Sequence, residues 1–286
     1  MGLANLIELT RPTNVVLGVL TVPLGATMVL GGSWGSSEAF AVGLHAMSVA
    51  TFMAAGNVMN DLKDIDVDRV AHPGRPLPSG RVTARAARRW ASVLWIGSAA
   101  LLIAGLSLLD AWLPSVMIWA AAAVLMVAYD HGPDLKSKGL VGNIAISLLV
   151  GAVVVFGAAA AGAWANPVAL AAASVAALVN LAREVVKDVH DMSGDEGHRR
   201  TLPMAIGAEN ARMVAYVVAL AGLVVLYVPY QWGPLAFHQL VTQTPAILLV
   251  ITTNGPLWEG HDAVVVARYR QAMLAGLVGF LLSVLL

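Results

Sequence analysis

Nine apolar stretches, each about long enough to cross a lipid bilayer, constrain this chain more than any other feature. They run over 13–32, 39–60, 88–109, 112–130, 140–162, 165–183, 210–229, 235–252 and 265–286. A helix needs about 20 apolar residues to span the hydrocarbon core. In lipid the backbone polar groups must also be satisfied within the segment, which favours helices. The expected fold is an all-α integral membrane protein with nine transmembrane helices, a single unit over 1–286. Composition agrees: 58% of residues are hydrophobic and 12% charged, where a soluble domain carries roughly 25% charged. The seventh and eighth stretches are punctuated by Pro229, Pro234, Pro245 and Pro256, which membrane helices tolerate better than soluble ones.

The charges orient this map. All 17 Lys and Arg fall on alternate connections. Arg11 precedes the first stretch, and Lys63, Arg69, Arg75, Arg81, Arg85, Arg88 and Arg89 follow the second. Lys136 and Lys138 follow the fourth, Arg183, Lys187, Arg199, Arg200 and Arg212 cluster after the sixth, and Arg268 and Arg270 open the ninth. The intervening connections carry only Glu38 and Asp110. The positive-inside rule then places the N-terminus and the charged loops in the cytoplasm and the C-terminus outside, in a multi-pass protein of the cell membrane. The opening 14 residues, with Glu8 and no basic run, read as a leader into the first span and not as a cleaved signal peptide. A net charge of zero argues against a generally basic nucleic-acid binder, and no nucleic-acid partner is expected. Without cysteine there is no disulfide, thiolate nucleophile or cysteine metal site.

The long charged loops hold a repeated pattern. Asn57, Asp61, Asp64 and Asp68 are spaced i, i+4, i+7, i+11 at the end of the second stretch. Glu184, Asp188, Asp191 and Asp195 repeat that spacing at the end of the sixth. On a continuous helix each set lies on one face, while Asp66 points elsewhere. Stacked carboxylates repel each other, and near a bilayer the cost of uncompensated charge rises. A positive partner is therefore expected between the stripes. Oxygen-only ligands suit magnesium, which commonly shares its shell with substrate phosphates. Two acidic faces with metal between them would receive a diphosphate. Two other readings fit the same residues: a solvated acidic surface, and a cation or proton pathway through a transporter. The pathway reading lacks an acid near the middle of the spans.

These residues resemble the UbiA superfamily of intramembrane prenyltransferases. Its first motif, Asn-Asp-x-x-Asp-x-x-x-Asp, matches Asn60, Asp61, Asp64 and Asp68, and the family's Pro-x-Arg-Pro-Leu-Pro-Ser-Gly run follows at 73–80. The second motif matches Arg183, Glu184, Lys187, Asp188, Asp191, Gly194 and Asp195, with Thr201, Pro203 and Gly207 following. Arg11-Pro12-x-Asn14, the second motif, and Gly142-Asn143 with Ser147 look most like the archaeal ether-lipid branch. Chlorophyll synthases share much of the first motif but less of the second. Two spacings differ from the family pattern: Asp195 to Thr201 is shorter by one residue, and Tyr129 to Asn143 is longer.

The resemblance implies a bundle around a central cavity open to the cytoplasmic side. It also implies transfer of a prenyl group, geranylgeranyl in that branch, from its diphosphate to the hydroxyl of a glycerophosphate lipid, geranylgeranylglyceryl phosphate. An aromatic or chlorin acceptor is the alternative, and a cation transporter the non-enzyme one. Two Mg²⁺ ions would be held by Asp61, Asp64 and Asp68 on one side and Asp188, Asp191 and Asp195 on the other. Asp64, Asp68, Asp191, Lys187 and Tyr129 would carry the chemistry, Tyr129 by shielding a developing cation with its ring face. Asn14, Asn57, Arg75, Lys136, Lys138, Asn143, Arg183 and Lys187 would bind substrate. Arg85, Arg88 and Arg89 read as a basic interfacial face, and His190 as structural.

Overall fold

The computed structural model of the chain describes residues 2–130, 132–192 and 200–286. Asp195 of the second motif, with Gly194 and Arg199, lies outside the described residues. Local signals set the helix starts. Thr83 accepts a hydrogen bond from the Ala86 amide and opens α5 (Ala84–Leu106). Asn166 accepts from the Val168 and Ala169 amides and opens α8 (Pro167–His190), with Pro167 in its first turn. Both are the side-chain caps that a helix N-terminus needs for its orphan amides.

The other long helices are α2 (Pro12–Leu30), α3 (Ser36–Lys63), α6 (Leu113–Asp130), α7 (Leu140–Ala160), α10 (Ala208–Gln231) and α13 (Asp262–Leu285). With α5 and α8 they make eight helices, among the described residues, that are long and apolar enough to cross a membrane. Shorter elements join them: α1 (Leu3–Leu9), α4 (Ile65–Ala71), α9 (Leu202–Ile206), α11 (Thr244–Ile251), α12 (Asn254–Trp258), and 3-10 turns over Leu135–Ser137 and Phe237–Gln243.

Helix α8 sits at the centre. Its buried wall is almost all Ala and Val, from Val168 to Val189, and it packs against α7, α10 and α13. Small residues let neighbouring backbones close in where lipid gives no hydrophobic drive to association. The same logic fixes α2 on α7. A Cβ added at Gly157 would stand 2.1 Å from the Val22 carbonyl oxygen, and one at Gly25 would stand 2.2 Å from that of Val154.

The expected continuous span over 235–252 is corrected. The chain there runs as the 3-10 segment Phe237–Gln243 and then the eight-residue α11. Pro245 sits in the first turn of α11, where its missing amide hydrogen and fixed φ favour starting a new helix. The ends of α10 and α13 are joined in register. Arg212 pairs with Asp262 at their starts, with Nη2 to Oδ2 at 2.6 Å, and the Tyr230 hydroxyl meets the Ser283 hydroxyl at 2.7 Å near their ends. The two helices therefore run parallel.

Candidate active site

The two acidic stripes are not unbroken helical faces, and this corrects the sequence expectation. Helix α3 ends at Lys63, Asp64 caps it, and α4 begins at Ile65. Helix α8 ends at His190 with Asp191 as its cap, exposed, while Glu184 and Asp188 are on the helix and buried. The reason is electrostatic. A helix C-terminus carries partial negative charge, so successive carboxylates there oppose its continuation. Aspartate also favours caps and turns over helix interiors.

Each motif carboxylate is matched by a different partner. Asp61 pairs with Arg11, and Asn57 donates to the Thr10 carbonyl at 2.8 Å, so the corner between α1 and α2 is held on the end of α3. Arg11 adopts a left-handed backbone (φ 51°), uncommon for a residue with a side chain. Asp64 pairs with Lys136, and Asn60 bridges both, donating to Asp64 at 3.1 Å and accepting from Lys136 at 2.6 Å. Arg75 Nη1 reaches both oxygens of Asp68, at 2.7 and 2.8 Å. In the second motif, Asn143 donates to Asp188 at 2.7 Å, and Glu184 pairs with both Arg183 and Lys187. Asn143 is fixed by a buried relay: Asn180 donates to the Ser147 hydroxyl, which donates to the Asn143 carbonyl. Asp66 takes no part, being exposed and paired with Arg69.

The connection from α6 to α7 spans the two motifs. Lys136 binds the first, and Asn143, at the start of α7, binds the second. Lys63 anchors this loop on Asp134, and that hydrogen bond holds the Asp134 carboxyl below its ordinary value against a smaller opposing effect of burial. The tether therefore persists above the ordinary carboxylate range and is lost as pH falls through the lowered value. Gly139 turns the chain at φ 54° against the backbone of Arg200 and Thr201, where a Cβ would lie 2.3 Å from the Arg200 oxygen.

A cavity of about 430 Å³ reaches Asn57 of the first acidic stripe and Arg183 and Glu184 of the second motif. Asn14, Asn57, Asn180, Arg183, Glu184 and Arg270 give it polar lining, and the rest of its wall is largely apolar, from α2, α3, α6, α7, α8 and α13. Asn14, Asn57 and Arg183 were expected at a substrate site. Lys136, Arg75 and Lys187 are on motif carboxylates, and Lys138 is exposed beside the loop. Tyr129 does not line the cavity; Met126, one turn earlier on α6, does. Spaced i, i+3, the two share a face of α6, with Tyr129 one turn nearer the helix end. Two residues were missed. Arg11 was read for orientation and as part of Arg-Pro-x-Asn, but not as a partner of a motif carboxylate. Arg270 gave no local signal.

Among the described residues no three of Asp, Glu and His stand together as a ready metal cage. The donor chemistry nonetheless fits a hard divalent ion. Asp61, Asp68, Glu184 and Asp188 are buried oxygen donors, Glu184 on the cavity wall, and each is kept in that setting by an opposite charge or an amide.

The UbiA prenyltransferase family matches residues 16–285. A digeranylgeranylglyceryl phosphate synthase of Methanoculleus marisnigri is 30% identical over 99% of both chains. One of Methanopyrus kandleri is 34% identical over 98% of both. One of Halobacterium salinarum is 36% identical over 86% of this chain and 85% of its own. A solved structure of a digeranylgeranylglyceryl phosphate synthase shares the fold at a TM-score of 0.79, with 24% identity over 99% of this chain and 98% of that one. So does a UbiA homologue from Archaeoglobus fulgidus bound to DMAPP and Mg²⁺, at a TM-score of 0.68 and 17% identity over 94% of this chain and 99% of that one.

Proposed function

The chain belongs to the UbiA prenyltransferase family, a multi-pass membrane family, and on that premise we propose that it transfers a geranylgeranyl group from its diphosphate to the hydroxyl of geranylgeranylglyceryl phosphate. The relatives at 30–36% identity, all digeranylgeranylglyceryl phosphate synthases, support this acceptor over an aromatic ring or a chlorin. The single observation that carries the site is the cavity whose wall joins Asn57 of the first acidic stripe to Arg183 and Glu184 of the second motif.

The diphosphate would lie between the motifs, with the prenyl tail along the apolar wall. Asp61, Asp64, Asp68, Asp188, Asp191 and Asp195 would hold two Mg²⁺ ions. These ions would supply Lewis-acid neutralisation of the leaving diphosphate. The rest of the account concerns the chain's own side chains. Arg75, Lys136 and Lys187 stand on motif carboxylates. These cations would supply positive charge to the phosphate oxygens, and their carboxylate partners would be oxygen donors to the metal. Arginine suits phosphate through its planar donors, and lysine acts as a point charge. The C1–O bond breaks with its electron pair going to the diphosphate, C1 gains allylic-cation character, and the acceptor hydroxyl oxygen bonds to C1 as its proton passes to the departing diphosphate. Asn143, fixed by Ser147 and Asn180, positions Asp188.

The same reading includes nine crossings. Parallel α10 and α13 require the chain between them to return across the bilayer. The seven-residue 3-10 segment and the eight-residue α11 that follows it directly reach about 26 Å, close to the about 30 Å of the hydrocarbon core. The 17 Lys and Arg on alternate connections support an N-terminus and site in the cytoplasm and a C-terminus outside. A tag before Met1 is expected to be reachable only from inside the cell, and one after Leu286 only from outside. Tags reporting the same side would remove the ninth crossing.

The transfer itself is tested with labelled geranylgeranyl diphosphate, Mg²⁺ and geranylgeranylglyceryl phosphate on purified protein in detergent. An alkali-stable ether carrying the label is the expected product. Release of free geranylgeraniol alone would overturn the reading.

A further inference from the structure

Arg270 stands out among the charges of the cavity wall. Two cations line it, Arg183 and Arg270, with one carboxylate, Glu184. Arg183 is engaged by Glu184, which Lys187 also shares. Arg270 has no hydrogen-bond or ion-pair partner among the described residues. Its neighbour Arg268 is used differently, donating to the Thr252 carbonyl that caps α11.

The position of Arg270 is what singles it out. Arg270 lies eight residues beyond Asp262, about 12 Å along α13, on a helix pinned at its start by Arg212. It heads a face with Met273, Leu274 and Leu277, spaced i, i+3, i+4, i+7, all lining the cavity. Its side chain is exposed on that wall, and an intramembrane charge marks a functional site by default. Glu184 is already shared by two cations, so this wall carries net positive charge with room beside it. The ligand that completes it is an anion.

Helix α13 carries neither carboxylate motif, whereas Arg11, Arg75, Lys136 and Lys187 all stand on motif carboxylates or beside them. The donor's diphosphate belongs with those. We propose that Arg270 binds the phosphate monoester of the acceptor lipid and so selects a phosphorylated acceptor over a neutral one. This inference rests on the acceptor reading given above. A guanidinium on a phosphate makes charge-assisted, bidentate hydrogen bonds.

The test is binding of labelled geranylgeranylglyceryl phosphate and, separately, geranylgeranyl diphosphate with Mg²⁺ to wild-type, R270Q and R270K protein in detergent. Size-exclusion chromatography verifies that each is folded. R270Q is expected to weaken acceptor binding about 10- to 100-fold, the loss of a hydrogen-bonded charge, and R270K to recover part of it. Donor binding should stay within about twofold. With the phosphate-free analogue geranylgeranylglycerol, wild type and R270Q should transfer at equal rates. R270Q that binds the acceptor as tightly as wild type, or loses donor binding to the same degree, overturns the proposal while leaving the acceptor reading intact. Wild type that binds no glycerophosphate lipid overturns both.

Discussion

Asp64→Ala is expected to lower the rate of prenyl transfer by about 10²-fold or more, and Asp66→Ala by about tenfold at most. The two residues are separated only by Ile65, and the structure sets them apart. Asp64 caps α3 beside the α6–α7 loop, bonded to Lys136 and Asn60. Asp66 is 83% exposed and bound only to Arg69. In the proposed mechanism Asp64 is a metal ligand that stabilises the leaving diphosphate, and its loss also frees Lys136 from its partner. Asp66 contributes a surface ion pair, which is worth little. Initial rates at saturating Mg²⁺ on folded protein decide the matter. Equal losses at the two positions would mean that the junction between α3 and α4 does not face the reacting diphosphate.

Chelation is expected to have the largest effect of all. With EDTA the rate should fall below about 1% of the Mg²⁺ value, and excess Mg²⁺ should restore it, because the leaving group then lacks its charge neutralisation. The site offers oxygen donors without cysteine, and magnesium takes such ligands together with substrate phosphates. Activity that survives thorough chelation would remove the metal–diphosphate mechanism and leave the cations alone to stabilise the leaving group.

The sequence carried the bundle well because one physical constraint dominates it. Stretches such as 140–162 must be helical in lipid, and the structure has α7 over Leu140–Ala160. The carboxylate motifs were equally legible, since charged side chains at a bilayer are rare and repeated spacing stands out. What the spacing could not show is where a helix ends. The i, i+4, i+7, i+11 pattern assumes continuity, and both helices stop within it, at Lys63 and at His190. The 235–252 stretch failed for a local reason, Pro245, whose effect was visible but was read as tolerable. Partners were the hardest part. Lys136 and Asp64 are far apart in the chain and meet only because the α6–α7 loop folds over the end of α3. Arg270 looked like positive-inside charge until α13 turned it onto the cavity.

The most direct measurement of the central claim is a competition. Purified protein would receive labelled geranylgeranyl diphosphate, Mg²⁺ and equal concentrations of geranylgeranylglyceryl phosphate, 4-hydroxybenzoate and chlorophyllide, and the products would be resolved by mass spectrometry. The account predicts at least about tenfold more label in the glycerophosphate ether than in either other product. Label predominantly on the aromatic ring or the chlorin would contradict it.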